Sequence, residues 1–323
     1  MSDTEAEPIT RSGGLLGRAA LLRPASPPES LAEIVVQDTP PEPIPEPILE
    51  PVVEVVDQSP SPLLLPEPGP NILPPLVVRP QDLHVLGVKD LHKKFGRKEV
   101  VRGVNFSMNN GEVAGLLGPN GAGKTTIFYM IVGFYHPTAG LVTMDNMDIT
   151  AKPMYLRARQ GIAYLPQEAS IFRKLTVEQN IWAILESRRD INKNEKKERL
   201  EFLLDEFGIG RLRKQFGYTL SGGERRRTEI ARALATEPKF LLLDEPFAGI
   251  DPIAVFEIKQ IIRRLAEKGI GILITDHNVR DTLEITTEAF IIANGTIVAR
   301  GGRDAILAND MVREVYLGSE FRM

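Results

Sequence analysis

The sequence predicts an α/β fold with a mainly parallel sheet flanked by helices. From residue 82 onward, short β-like runs alternate with longer helical patterns, an order typical of parallel sheets. The runs 240–243 and 271–275 are continuously apolar, as expected for strands that are buried on both faces. A glycine-rich segment joins the apolar run 112–117 to a helical pattern at 126–134. Functional residues are therefore expected at the carboxyl ends of the strands.

The remaining elements complete this prediction. Residues 161–165 form a further candidate strand. The runs 290–293 and 296–299, separated by Asn294 and Gly295, predict a hairpin with a tight primed turn and hence an antiparallel β part. Residues 168–235 are helical in pattern and heavily charged, without comparable strand runs. We interpret this stretch as an inserted helical subdomain.

Residues 1–81 have a different composition. They hold 18 of the 25 prolines, with four basic and twelve acidic residues, whereas residues 82–323 carry 35 basic and 31 acidic residues. Proline disfavours helix and removes backbone donors, so this acidic extension is predicted to be disordered with polyproline II character. It could be a solvated spacer, or it could dock on a partner through the apolar patches 34–36 or 63–65.

The overall composition excludes several classes of protein. A net charge of −4 and a pI near 5.8 give no basis for nucleic acid as the main partner. The absence of cysteine excludes disulfides, thiolate metal sites and cysteine nucleophiles, and suggests a reduced cytosol. No apolar run approaches the roughly 18 to 20 residues of a membrane span, and the acidic N-terminus is unlike a secretory signal. The expected location is therefore the cytosolic side.

A phosphate-binding loop is predicted between the first strand and its helix. Residues 118–125 match the eight-position P-loop pattern in its required context. Glycines let successive amides point inward at an anion, and the helix N-terminus adds partial positive charge. Lys124 would reach the β- and γ-phosphates of ATP, and Thr125 would offer its hydroxyl to Mg²⁺. The alternative is a glycine-rich turn that matches by chance. The predicted nucleotide-binding residues here are Gly118, Pro119, Asn120, Gly121, Ala122, Gly123, Lys124, Thr125 and Thr126.

Two adjacent carboxylates end the apolar run 240–243. Neighbouring side chains on a strand point to opposite sides, so the two can serve different purposes. Asp244 suits the Mg²⁺ shell, and Glu245 suits the orientation and deprotonation of the attacking water. The alternative is a pair of acidic residues that merely ends a strand.

A third motif is more specific: Leu220-Ser-Gly-Gly-Glu, which ends 16 residues before the start of the carboxylate-bearing strand. Ser221 and Glu224 have the spacing of a capping box, which predicts a helix start with exposed amides at Ser221, Gly222 and Gly223. Alone it could be only a helix cap. With the other motifs it resembles the signature of the ABC ATPases, a P-loop NTPase family. The resemblance implies a homodimer in which two ATP molecules lie between signature and P-loop of opposite subunits.

The same resemblance implies roles for single residues. Gln167 is similar to the glutamine that contacts Mg²⁺ and water, and His277 to the switch histidine at the γ-phosphate. Asp251 resembles the aspartate at the subunit junction. Phe95 resembles the aromatic residue that stacks on adenine, although an ordinary core or surface phenylalanine is the alternative.

Longer phrases at 164–175, 220–227, 245–252 and 315–323 resemble the ATPases of lipopolysaccharide export. That family implies a peripheral location on the cytoplasmic face of the inner membrane, with two permease subunits and no contact with the transported molecule. The permeases are expected near Phe172, Arg173 and Leu175, unless Phe172 and Leu175 only close the subdomain core. Residues 316–321 could pack across the dimer or on their own subunit. The alternatives are a branched-chain amino-acid importer ATPase and a soluble ABC protein acting on ribosomes or DNA.

Overall fold

The computed structural model describes residues 83–277 and 279–312. The predicted extension at 1–81 and the C-terminal segment 316–321 lie outside the described residues. The strands are β1 Val85–Phe95, β2 Lys98–Asn109, β3 Val113–Leu117, β4 Ala139–Met144, β5 Met147–Asp148, β6 Ile162–Leu165, β7 Phe240–Asp244, β8 Gly271–Asp276, β9 Glu288–Ala293 and β10 Thr296–Gly301. The helices are α1 Lys124–Val132, α2 Met154–Arg159, α3 Val177–Ser187, α4 Lys193–Glu206, α5 Gly222–Leu234, α6 Pro252–Glu267, α7 Val279–Leu283, α8 Arg303–Ala308 and α9 Asp310–Val312.

A six-stranded sheet in the order β10-β9-β3-β8-β7-β6 forms the centre of the fold. The five strands from β9 to β6 run parallel, and β10 pairs antiparallel with β9. Every residue of β3, β7 and β8 is buried, as their continuous apolar runs require. The predicted α/β class with a mainly parallel sheet is confirmed.

A second sheet is antiparallel, in the order β2-β1-β4-β5. The sequence indicated an antiparallel part but did not locate these strands. Their pairing shifts register between Val88 and Leu91, where Asp90 adopts a positive φ of 46°. Such a bulge interrupts the alternation of inward and outward residues on which strand prediction depends.

The predicted hairpin is confirmed at β9 and β10. Its two turn residues, Asn294 and Gly295, both have positive φ, 49° and 82°, as a type I′ turn requires. Glycine is required at 295 because a Cβ there would lie 2.4 Å from the carbonyl oxygen of Val100. The Gly295 amide donates to the carbonyl of Ala122 at 3.1 Å. The hairpin turn thus supports the glycine-rich loop that precedes α1.

Three of the helices, α3, α4 and α5, lie between β6 and β7. Each starts with a capping box, in which the side chain at the N-cap accepts from a backbone amide and a Gln or Glu side chain accepts in return. The three N-caps are Thr176, Asn192 and Ser221. Among the described residues, no helix is long and apolar enough to cross a membrane.

Helix α1 ends earlier than the sequence indicated. The pattern predicted a helix over 126–134, but α1 closes at Val132 because Gly133 takes a left-handed conformation with φ of 98°. Beyond it, the fully buried Arg157 donates to the carbonyls of Met130 and Ile131, both at 2.6 Å. Its other two nitrogens donate to the backbone carbonyls of Lys152 and Thr150, at 2.8 and 2.7 Å. Arg157 therefore satisfies carbonyls at the C-terminus of α1.

Replacing Arg157 by methionine is expected to destabilise the fold by about 3 kcal/mol, since several buried carbonyls would lose their donor. Chemical denaturation followed by circular dichroism would measure this change. The exposed Arg189→Met is the matched control and should change stability by less than about 0.5 kcal/mol. An equally small effect at Arg157 would show that these carbonyls find other donors.

Candidate functional site

The glycine-rich loop connects β3 to α1 as the sequence predicted. Gly121 and Gly123 have φ of 79° and 110°, values that favour glycine. A Cβ on Gly118 would lie 2.2 Å from the carbonyl oxygen of Ile292. Gly123 is the N-cap of α1 and offers no side chain to its first-turn amides. Those amides and the helix dipole can therefore serve an anion.

Lys124 lies buried at the start of this helix. Its Nζ donates to the carbonyl oxygens of Gly118 at 2.5 Å and Pro119 at 3.1 Å. Burial lowers the pKa of Lys124, and the nearby carboxylates of Glu245 and Asp244 oppose that shift. Thr125, in the same helical turn, is exposed, and Thr126 is half-buried. The loop and helix start thus contain a desolvated cation, an exposed threonine hydroxyl and first-turn amides that no side chain caps, a set that suits a polyphosphate.

The two adjacent carboxylates occupy different environments, as the strand alternation predicted. Asp244 ends β7 and is only 4% exposed. Burial raises the pKa of Asp244, and a hydrogen bond from the Thr275 hydroxyl opposes that shift. Glu245 follows with a left-handed φ of 42°, an uncommon conformation for glutamate that is often kept at functional sites. Its amide donates to the carbonyl of Thr275 at 2.9 Å.

Gln167 and His277, which the sequence singled out separately, both contact Glu245. The Gln167 Nε2 donates to the Glu245 Oε2 at 2.8 Å. The His277 Nδ1 lies 3.3 Å from the same oxygen and 3.5 Å from the Asp276 carboxylate. The Glu245 side chain is 17% exposed and that of His277 is 59% exposed. This cluster faces solvent, next to the buried Asp244.

Phe95 lies at the end of β1 and is 44% exposed. Its ring packs edge-on against Tyr135 with 5.4 Å between centroids. The Lys93 ammonium lies 5.1 Å from the Phe95 ring and 5.5 Å from the Tyr135 ring. Sequence reasoning found Phe95 but missed Tyr135, because no local spacing relates the two positions.

The signature segment forms the helix start that its spacing predicted. Ser221 is the N-cap of α5 and exchanges two hydrogen bonds with Glu224, at 3.0 and 3.3 Å. Gly222 and Gly223 begin the helix, and a Cβ on Gly223 would lie 2.7 Å from that of Ala254. Asp251 is the N-cap of α6 and accepts from the Ala254 amide at 2.9 Å. The two helix starts therefore lie side by side.

A buried ion pair that the sequence analysis missed ties α5 to the site. Arg226 donates to the carbonyl of Pro166 at 2.9 Å and to that of Asp244 at 3.3 Å. Glu229 accepts from the amides of Ser170 and Ile171, at 2.7 and 3.0 Å. The pair thus holds the backbone on both sides of Gln167. Its i, i+3 spacing on a charged helix was the available signal, but this spacing is common on solvated faces.

The expected permease groove is partly exposed. Phe172 is 47% exposed, with the Arg232 guanidinium 4.9 Å from its ring centroid. Arg173 is exposed and Leu175 is half-buried. The Arg173 carbonyl accepts from the Tyr218 amide at 3.1 Å. The segment 172–175 therefore presents an aromatic ring and a cation on a backbone that the neighbouring loop fixes.

The family model described as "ABC transporter" matches residues 101–248. A protein of Escherichia coli K12, "Lipopolysaccharide export system ATP-binding protein LptB", is 52% identical over 238 residues, covering 74% of this chain and 99% of its own. The chain belongs to the ABC transporter ATPase family. The Haemophilus influenzae protein of the same name is 50% identical over 241 residues, covering 75% of this chain and all of its own.

Solved structures of this family share the fold. A nucleotide-free ATP-binding cassette from an ABC transporter superposes with a TM-score of 0.66 at 30% identity, covering 73% of this chain and 100% of its own. The crystal structure of the ADP conformation of MJ1267, an ATP-binding cassette of an ABC transporter, has the same TM-score and identity, and the match covers 73% of this chain and 99% of that one. The predicted resemblance to the ABC ATPases and the predicted fold class are confirmed.

Proposed function

We propose that this chain hydrolyses ATP to power the export of lipopolysaccharide through partner permeases, at the cytoplasmic face of the inner membrane. The convergence of Gln167 and His277 on Glu245 is the observation that supports hydrolysis. The relatives named as lipopolysaccharide-export ATP-binding proteins, matched over nearly their full lengths, support the transport role. We assign the ATPase domain to residues 82–323, with a helical subdomain at about 168–235.

In this proposal Glu245 is the general base. It accepts a proton from the water that attacks the γ-phosphorus, and its uncommon backbone conformation and two side-chain partners hold the carboxylate in place. Gln167 orients the water, and His277 steadies Glu245 and contacts the γ-phosphate. Lys124 and the P-loop amides neutralise phosphate charge.

The residues present fit ATP and Mg²⁺. Gly118 in the glycine-rich loop has no room for a side chain, and no side chain caps the amides at the start of α1. Thr125, Gln167 and Asp244 offer only oxygen ligands, the type that Mg²⁺ prefers. When bound, Mg²⁺ supplies charge neutralisation at the β- and γ-phosphates. Phe95 is assigned to the adenine, where its exposed ring can stack.

The proposed dimer places a second copy of this chain opposite the P-loop. The N-terminal turn of α5, at Ser221, Gly222 and Gly223, would meet the nucleotide held by the partner, and its dipole favours that anion. Asp251 lies beside it at the start of α6 and would lie at the subunit junction. Phe172, Arg173 and Leu175 would receive the permeases, so the transported molecule would not touch this subunit.

Isolation of the tagged protein from detergent-solubilised native membranes, with its companions identified by mass spectrometry, tests the transport role. Lipopolysaccharide-export permeases are the expected companions. Amino-acid permeases would overturn the proposed substrate and favour a branched-chain importer. Ribosomal or DNA-repair proteins without a membrane partner would overturn transport itself.

The same isolation tests the permease groove. Phe172→Ala is expected to reduce permease recovery about tenfold, because an exposed aromatic side chain that a partner buries is a typical hot spot, worth about 1 to 2 kcal/mol here. ATP binding by the isolated variant should be unchanged. Tyr155→Ala, at another exposed aromatic residue, is the matched control. Full permease recovery with Phe172→Ala would remove the groove from the proposal.

A further inference from the structure

The two oxygens of the Asp244 carboxylate have separate hydrogen-bond donors. The Thr275 hydroxyl donates to Oδ1 at 2.5 Å, and the Tyr164 hydroxyl donates to Oδ2 at 3.3 Å. Asp244 is buried at the carboxyl end of β7, where solvent contributes little to fixing the orientation of its side chain. The two hydroxyls come from different strands on opposite sides of β7, namely β6 and β8.

Tyr164 is itself held in place by packing. Its ring meets Tyr129 of α1 edge-on at 6.3 Å and Phe134, just beyond α1, at 5.9 Å between centroids. A tyrosine hydroxyl carries a proton at neutral pH and can therefore donate this hydrogen bond. Tyr164 thereby links the P-loop helix to Asp244, three residues before Gln167.

Thr275 contacts both members of the carboxylate pair. Besides donating to Asp244, its hydroxyl accepts from the Glu245 amide at 3.3 Å, and its carbonyl accepts from the same amide at 2.9 Å. The parallel register pairs Thr275 directly with Asp244. One residue of β8 therefore fixes the carboxylate of Asp244 and the backbone of Glu245.

We propose that Tyr164 and Thr275 are positioning residues for metal binding by Asp244. Each hydroxyl occupies one lone-pair region of a different carboxylate oxygen, so the two hydrogen bonds together fix the orientation of the carboxylate and of its remaining lone pairs. This inference rests on the proposed assignment of Asp244 to the Mg²⁺ shell. Neither residue contacts ATP in this assignment, and both act through Asp244.

Metal affinity, measured separately from turnover, tests the inference. Mn²⁺ serves as the probe, bound to the full-length protein with a non-hydrolysable ATP analogue and followed by electron paramagnetic resonance. Tyr164→Phe retains the packed ring and removes only the hydroxyl. We expect it to weaken Mn²⁺ binding about 10-fold, the lower end of the typical effect of removing a group that hydrogen-bonds to a metal ligand. Binding of the analogue in EDTA should remain at the wild-type level, and turnover should recover at high Mg²⁺.

Thr275 provides an independent pair of variants. Thr275→Val removes the hydroxyl with little change of shape and should weaken Mn²⁺ binding to a similar degree, whereas Thr275→Ser keeps the hydroxyl and should restore it. Tyr155→Phe, an exposed tyrosine, is the control for loss of a phenol. Wild-type Mn²⁺ affinity in both Tyr164→Phe and Thr275→Val would overturn the inference while leaving the proposed function intact. If the wild-type protein with the analogue bound no Mn²⁺, the proposed function would fail as well.

Discussion

Glu245→Gln is expected to lower steady-state ATP hydrolysis at least 100-fold, because the amide cannot accept the proton of the attacking water. The substitution preserves the shape of the side chain and removes its charge. Gln167 can still donate to the new carbonyl oxygen, so the site should remain assembled. ATP binding should therefore be retained, and the variant should accumulate as an ATP-bound dimer. Phosphate release and size-exclusion chromatography with ATP and Mg²⁺ would measure the two effects.

Glu198→Gln is the matched control, since Glu198 is an exposed glutamate on α4. Its hydrolysis rate should equal that of the wild-type protein. Appreciable turnover by Glu245→Gln would contradict the assignment of the base. Loss of ATP binding in Glu245→Gln would also count against it, because it would indicate a role in assembling the site rather than in proton transfer.

The positions of the residues that we assign to ATP could be predicted because each follows a strong local pattern. Apolar runs located β3, β6, β7 and β8 to within a residue at either end. Because those strands are parallel, their carboxyl ends lie along the same edge of the sheet. That is why Gln167, Glu245 and His277, which are far apart in sequence, come together in the structure. Their roles in catalysis remain predictions.

The supporting residues could not be predicted from local patterns. Placing Thr275 beside Asp244 requires the register of β7 and β8, and placing Tyr164 there requires β6 as well. Arg226 and Glu229 have the spacing of an ordinary surface ion pair, and only the fold buries them. The antiparallel sheet was missed for a related reason, since its register shifts interrupt the alternation on which prediction depends.

Lys124→Met is expected to weaken ATP binding roughly 30- to 100-fold, because one charge-assisted interaction with phosphate contributes about 2 to 3 kcal/mol. The apo protein should lose little stability, because relief from burying the charge offsets the loss of the two hydrogen bonds that Lys124 donates to the carbonyls of Gly118 and Pro119. Since burial lowers the pKa of Lys124, the unfolded state binds its proton more tightly than the folded state. The charge therefore opposes folding at neutral pH, and this cost decreases as pH rises through the folded pKa.

A second buried lysine gives the contrast that tests this argument. Burial lowers the pKa of Lys259, but hydrogen bonds with Asp281 and Glu284, both at 2.7 Å, outweigh burial, so the pKa is raised overall. Its charge therefore favours folding, a contribution present at neutral pH and lost as pH rises through the folded pKa. Lys259→Met should lower the thermal midpoint and leave ATP affinity unchanged, opposite to Lys124→Met. Calorimetry with and without ATP separates the two variants. A large loss of apo stability in Lys124→Met would make Lys124 a support of the P-loop rather than a phosphate ligand.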